Sequence, residues 1–116
     1  LADDHAMIRQ GLRAVLETYE DIELVGEASD GEEAESLVEK LLPAVVIMDI
    51  NMPKKNGIEA TAKIKSRHPE LIIIGLSVDT DSGSRTAMMN AGAKILLTKE
   101  AAVEQLYGAI QEAVKK

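Results

Sequence analysis

Five side chains of three chemical types stand where short apolar runs stop. They are Asp3 and Asp4 after Leu1-Ala2, Asp49 after Val45 to Met48, Ser77 after Leu71 to Leu76, and Lys99 shortly after Lys94 to Leu97. Brought to one place they make three carboxylates, a hydroxyl and an amine. Two carboxylates about 4 Å apart repel by roughly 4 kcal/mol at an effective dielectric of 20, so three together require a compensating positive charge. A bound cation supplies it, and oxygen donors without cysteine point to Mg²⁺, with Mn²⁺ as a substitute. Lys99 then suits a phosphoryl oxygen as a point charge, and the Ser77 hydroxyl can donate to another as charge develops. Asp49 is left as the nucleophile, a carboxylate able to form an acyl phosphate in a transfer that asks mainly for alignment and charge neutralisation.

Each residue also has a plainer reading. Asp3 and Asp4 could cap the following helix, where acidic residues are favoured anyway. Asp49 and Ser77 could be turn residues, and Lys99 a solvated charge. His5 reads as a partly exposed helix residue and His68, before Pro69, as a surface one; neither is assigned to a metal. Lys54 and Lys55 read as a solvated loop, and Met88 and Met89 as packing residues.

The elements that must position these groups follow from periodicity. Short apolar runs alternate with stretches of helical spacing, the mark of parallel strands joined by crossover helices. The expected strands are Ile22 to Ala28, Val45 to Met48, Leu71 to Leu76 and Lys94 to Leu97, mostly continuous in Val, Ile and Leu as expected where both faces are covered. Helical stripes run through Ile8, Leu12, Val15, Leu16 and Tyr19; Ala34, Leu37, Val38 and Leu41; Gly57, Ala60, Thr61 and Ile64; and Val103, Leu106, Tyr107, Ile110 and Val114. Ser82 to Ala91 gives a weaker helix. Asp30 with Glu33 forms a capping pair, and Pro43 and Pro69 stop helices before strands. The opening strand is cut short, because only Leu1 to Asp4 precede the first helix; a few apolar residues are expected before Leu1. In such an open sheet ligands bind beyond the carboxyl ends of the strands, where the strand order reverses.

Composition narrows the class. The chain has 116 residues, 46% of them hydrophobic, which fits one globular domain. No apolar run is long enough to cross a bilayer. Thirteen basic against twenty acidic residues give a net charge of −7, which repels nucleic acid and anionic membrane. The absence of cysteine is consistent with a reducing cytoplasm. The two tyrosines leave little from which to build an aromatic stacking site.

Asp3-Asp4-His5, Met48-Asp49-Ile50-Asn51-Met52-Pro53 with Gly57, Leu76-Ser77-Val78, and Ala91-Gly92-Ala93 ahead of Lys99 together resemble the receiver domains of two-component response regulators. The likeness runs from end to end without a large insertion. Leu1 to Leu12, Gly26 to Gly31 and Asn56 to Ala60 look most like the NarL/FixJ subfamily, whose members usually carry a C-terminal helix-turn-helix; that effector is not within residues 1 to 116. The resemblance implies a doubly wound, flavodoxin-like α/β fold with five parallel strands in the order 2-1-3-4-5, the first truncated. It implies phosphorylation of Asp49 by a sensor histidine kinase, Mg²⁺ held by Asp3, Asp4, Asp49 and the backbone carbonyl of Asn51, and Ser77 and Lys99 on the phosphoryl group. By the same likeness Asn51 and Asp79 tune the loss of phosphate to water, and phosphorylation changes dimerisation. The implied role is a cytoplasmic switch acting on transcription, with no turnover of a separate substrate and no nucleic-acid or membrane contact of its own.

Two residues depart from the family pattern. Leu96 stands where an aromatic usually swings inward when the switch hydroxyl moves, and Glu100 where many receivers have proline. Leu96 bears on how phosphorylation reaches the surface of the last helices, and it opens the alternative of a phosphorylation-independent scaffold. A flavin carrier of the same architecture would want a hydroxyl-rich first loop and aromatics against the ring, whereas this loop is acidic. A phosphatase with an aspartyl-phosphate intermediate usually pairs two aspartates in one strand-end motif, where this chain has Asp49-Ile50-Asn51.

Overall fold

The computed structural model describes residues 1–52, 55–77 and 82–114, the side chain of Ser82 excepted. The elements run α1 Ala6–Glu17, α2 Gly31–Leu41, β1 Val45–Asp49, α3 Gly57–Arg67, β2 Ile72–Ser77, α4 Ser82–Ala91, β3 Ile95–Thr98 and α5 Lys99–Val114. All three strands are parallel, with Asp49 opposite Leu76 and Ser77 opposite Thr98.

Alternation along the strands divides the core into two layers. Val46, Met48 and Ile73 face one way and meet Ala34, Val38, Ala60, Ile64 and Met88 of α2, α3 and α4. Ile47, Ile74 and Leu76 face the other way onto Leu12 and Leu16 of α1 and Ala102, Leu106 and Ala113 of α5. A strand covered on both faces has no polar side to show, which is why VVIM and IIIGL are unbroken apolar runs.

The first chain segment lies in the middle of this sheet. Ala2 bridges in parallel to both Ala28 and Met48. Its N–H donates to the Ile47 carbonyl at 2.7 Å, and the Asp49 N–H donates to its carbonyl at 2.9 Å. On the other side Asp3 N–H donates to Ala28 O at 3.0 Å and Ala28 N–H to Leu1 O at 2.9 Å. The spatial order is therefore residue 28, residues 1–3, β1, β2, β3, which is the order 2-1-3-4-5. The expected strand Ile22 to Ala28 is corrected: only Ala28 pairs as a strand residue. A ladder needs a partner, and the segment beside it is only Leu1 to Asp3, whose amino group reaches Gly26 O at 3.3 Å.

Local signals set the helix ends. Asp30 accepts from Glu33 N–H at 2.8 Å while the Glu33 carboxylate accepts from Ser29 N–H at 2.7 Å. Asn56 caps α3 by accepting from Glu59 N–H at 2.9 Å. Tyr19 falls two residues beyond α1 rather than on its stripe, and its ring stacks on Tyr107 of α5 with centroids 3.7 Å apart. A largely apolar cavity of about 330 Å³, lined among others by Leu24, Leu37, Pro43, Val45 and Ile110, sits toward the amino end of β1, and neither Asp3, Asp4 nor Asp49 lines it.

Thr61 on α3 is fully buried, and its hydroxyl has no hydrogen-bond partner among the described residues. An unpaired buried hydroxyl costs more than the methyl that could replace it. Thr61→Val is therefore expected to raise stability by about 1 kcal/mol, read as a higher urea midpoint at unchanged slope.

Candidate functional site

Four charged or polar side chains are buried at the carboxyl edge of the sheet: Asp3 and Asp49 completely, Ser77 to 1% exposure and Lys99 to 7%. Asp3 follows the pairing at Ala2, Asp49 ends β1, Ser77 ends β2, and Lys99 opens α5 directly after β3. Parallel strands put all these ends on one side, so residues far apart in the chain share one pocket.

The Lys99 ammonium is at the centre. Its Nζ donates to Asp49 Oδ2 at 2.9 Å and to Asp3 Oδ1 at 3.0 Å. Asp49 Oδ1 accepts from the Asn51 N–H at 3.3 Å. Asp4 is at the mouth, its side chain 30% exposed. Arg9 of α1 donates to the Asp3 backbone carbonyl and pairs with Glu27 at 3.2 Å, fixing the chain from which Asp3 projects. Burial pushes the Asp49 carboxyl up to about 6, against the pull of the Lys99 hydrogen bond and with the Asp3 charge adding to the rise.

Two buried carboxylates against one ammonium leave a net negative pocket, and Asp4 adds to it. Asp3 Oδ2, fully buried, lies 3.0 Å from Lys99 Nζ but accepts no hydrogen bond. Donor atoms of Asp3, Asp4, His5 and Asp49 all lie within 4.8 Å of one another. This oxygen-rich, net negative set fits a small divalent cation such as Mg²⁺.

The outer positions are less central. Asn51 is exposed and touches the site through its backbone N–H. Leu96 is half-buried on β3, packed against the α2–α4 face of the core beside Gly75, where an added methyl would meet Leu96 Cδ1 at 2.5 Å and Met88 Cγ at 3.2 Å. Asp79, Val78 and Pro53 lie outside the described residues. His5, set aside in the sequence, reaches the cluster: its Nδ1 is 2.9 Å from Lys99 Nζ and 3.1 Å from Asp4 Oδ1. Its place immediately after two strand-end aspartates was the available signal.

Gly57 at the start of α3 lets that helix close on β1. Its N–H donates to Ile50 O at 2.7 Å, and an added Cβ would sit 1.9 Å from the Asp49 carbonyl oxygen. Gly57→Ala must push α3 or Asp49 aside, an overpacking cost of about 1–3 kcal/mol. A lowered thermal midpoint together with weaker divalent-cation binding is the expected result.

A doubly wound parallel sheet with a buried acidic pair and a lysine at its carboxyl edge defines a class of signalling domain. The family model for the response regulator receiver domain matches residues 1–111, and the chain belongs to that family. Its relatives place it with NarL/FixJ-like receivers. It is 39% identical over 111 residues to the transcriptional regulatory protein DegU of Brevibacillus brevis, covering 96% of this chain and 47% of that protein. It is 40% identical over 111 residues to the response regulator UvrY of Escherichia coli, covering 96% and 51%. The chain thus spans about half the length of the curated relatives it matches. Among solved structures, a LuxR-family DNA-binding response regulator from Staphylococcus aureus superposes with a TM-score of 0.90 at 28% identity, covering 97% of this chain and 93% of that one. The signal receiver domain of the putative response regulator NarL from Mycobacterium tuberculosis gives 0.90 at 26% identity, covering 96% and 90%. No described helix is long and apolar enough to cross a membrane.

Proposed function

We propose that the chain is a phosphorylation-dependent switch in which Asp49 accepts a phosphoryl group from a sensor histidine kinase. The observation that carries this reading is the Asp49 carboxylate itself, fully buried at a strand end and bonded through Oδ2 to Lys99. A strand-end carboxylate beside a lysine and two further acidic groups has the setting that an acyl-phosphate-forming nucleophile requires. One of its oxygens attacks phosphorus, the bond to the phosphohistidine nitrogen breaks, and that nitrogen leaves with the electron pair.

Asp3, Asp4, Asp49 and the Asn51 backbone carbonyl would hold Mg²⁺, or Mn²⁺ in its place. The ion, when bound, neutralises charge on the phosphoryl oxygens and offsets the repulsion among the carboxylates. Lys99 moves its hydrogen bonds from Asp49 to a phosphoryl oxygen, and Ser77 donates to another. By the family likeness, Asn51 and Asp79 tune the later loss of the phosphate to water. The protein turns over no separate substrate.

The acyl phosphate favours one of two conformations through those new contacts. Leu96 lacks the ring and hydroxyl of the usual aromatic, so the movement of Ser77 passes to the surface by aliphatic packing against Met88. The readout is a change in homodimerisation through faces that include α5, with α1 or α4, and from there the activity of a cytoplasmic transcriptional effector joined to this domain. Incubation with Mg²⁺ and a small phosphodonor, followed by intact-mass measurement, tests the chemistry. One added phosphoryl group, absent when a chelator is present, is the expected result; an unmodified mass would leave a binding scaffold as the better account.

A further inference from the structure

The last strand runs into the last helix with no loop residue between them: β3 ends at Thr98 and α5 begins at Lys99. Thr98 Oγ1 accepts from the Ala101 N–H at 3.1 Å, and in the ladder Thr98 stands opposite Ser77. We infer that Thr98 is a positioning residue for phosphoryl transfer, its hydroxyl capping α5 so that the Lys99 ammonium stays in the pocket at a fixed place relative to Ser77. This rests on the reading of Asp49 as the phosphoacceptor.

The need for a cap comes from the residue it precedes. Lys99 is a cation in the first turn of a helix, where the backbone dipole disfavours positive charge, and its side chain is only 6% exposed. Burial strips its water as well. The Asp3 and Asp49 carboxylates, 3.0 and 2.9 Å from Nζ, offset these costs only while the Lys99 backbone stays within reach. Unwinding the first turn would free the side chain to swing toward solvent.

Apolar packing alone does not hold that turn. Ala102 and Leu106 are fully buried and seat α5 in the core, whereas Glu100 ahead of them is exposed and Ala101 half-buried. The first N–H groups of a helix have no partner within it, and the Thr98 hydroxyl supplies one to Ala101. The rest of β3 is Ile95, Leu96 and Leu97, so the strand's single hydroxyl falls on the residue that serves as the N-cap of α5.

Thr98 therefore acts through Lys99. The cation ligands Asp3, Asp4 and Asp49 stand on other elements, so losing the cap slows the transfer step without weakening the hold on the ion.

The test follows phosphoryl uptake by intact mass against time, with saturating acetyl phosphate and a titration of Mg²⁺. Thr98→Val, which keeps the shape and removes the hydroxyl, is expected to lower the limiting rate about tenfold without raising the Mg²⁺ concentration for half-saturation. Thr98→Ser restores the acceptor and is expected to stay within about twofold of the native rate. Asp30→Ala removes the same kind of bond from α2, where Asp30 accepts from Glu33 N–H at 2.8 Å; it is expected to lower the melting temperature as Thr98→Val does and to keep the native rate. A native rate in Thr98→Val, an equal slowing in Asp30→Ala, or no rescue by serine overturns the inference and leaves Asp49 as the acceptor. Hydrogen exchange checks the cap without any variant: the Ala101 amide of the native chain is expected to be protected, and exchange as fast as in an unstructured segment also overturns it. A native chain that takes up no phosphoryl group overturns the acceptor reading, and this inference with it.

Discussion

Asp49→Asn is expected to abolish phosphoryl uptake and, at neutral pH without metal, to stabilise the fold by about 1–3 kcal/mol. The two effects have one cause. Asp49 is a carboxylate buried beside another carboxylate, and its native pKa is raised from 3.8 to about 6. Between those values the native state holds more protons than the unfolded state, so the Asp49 contribution to stability falls as pH rises from about 4 to 6 and stays low above that. The amide carries no charge and escapes this cost. The gain over the native chain should therefore grow across that interval and level off near neutrality, as read by urea denaturation in a chelating buffer. A variant that still gains a phosphoryl group would remove Asp49 from the acceptor role, and one that is less stable at neutral pH would show that the Lys99 bond outweighs burial.

Lys99→Met carries the opposite expectation. Lys99 is the only cation the structure places between Asp3 and Asp49 among the described residues, at 3.0 and 2.9 Å. Removing one partner of a buried ionic cluster leaves uncompensated charge and costs about 3–5 kcal/mol, a large share of the stability of a small domain. The loss should shrink on acidification, because protonating one carboxylate relieves the repulsion, and millimolar Mg²⁺ should restore part of it by standing in for the ammonium. Phosphoryl uptake should fall steeply even where folding is recovered, since the ion replaces the charge and not the hydrogen bond from α5. Denaturation curves with and without Mg²⁺ check the first effect and intact mass the second.

The parts of this molecule that were legible in the sequence are those where one physical demand dominates. Val45 to Met48 and Leu71 to Leu76 read as buried strands because helices cover both faces, and the ladder confirms them within a residue. Gly57, Ala60, Thr61 and Ile64 read as a helical stripe, and all four are buried. Ile22 to Ala28 has the composition of a strand, but strand formation also depends on the neighbour, and only Ala28 finds one. Val103 follows the α5 spacing yet is 54% exposed, because Ala102 and Leu106 seat that helix.

Within the site, residue type and strand-end position were enough to bring Asp3, Asp49, Ser77 and Lys99 into view. They could not say that Lys99 would be buried between two carboxylates rather than solvated, since that depends on how α5 meets β3. His5 was harder still. Its position on the letter string fits a helix start, and only the folded chain brings Nδ1 to 3.3 and 3.1 Å from the Asp3 and Asp4 carboxylates. The surroundings of Leu96 are likewise a matter of tertiary packing, here its place opposite Gly75 on the neighbouring strand.

The most direct measurement is to trap the acyl phosphate by reduction after treatment with Mg²⁺ and a small phosphodonor, then to map the modified residue by peptide sequencing in the mass spectrometer. Modification at Asp49 alone, leaving Asp3 and Asp4 untouched, is what a lone nucleophile among cation-holding carboxylates predicts. Label on Asp3 or Asp4, or spread over several acidic residues, would contradict it.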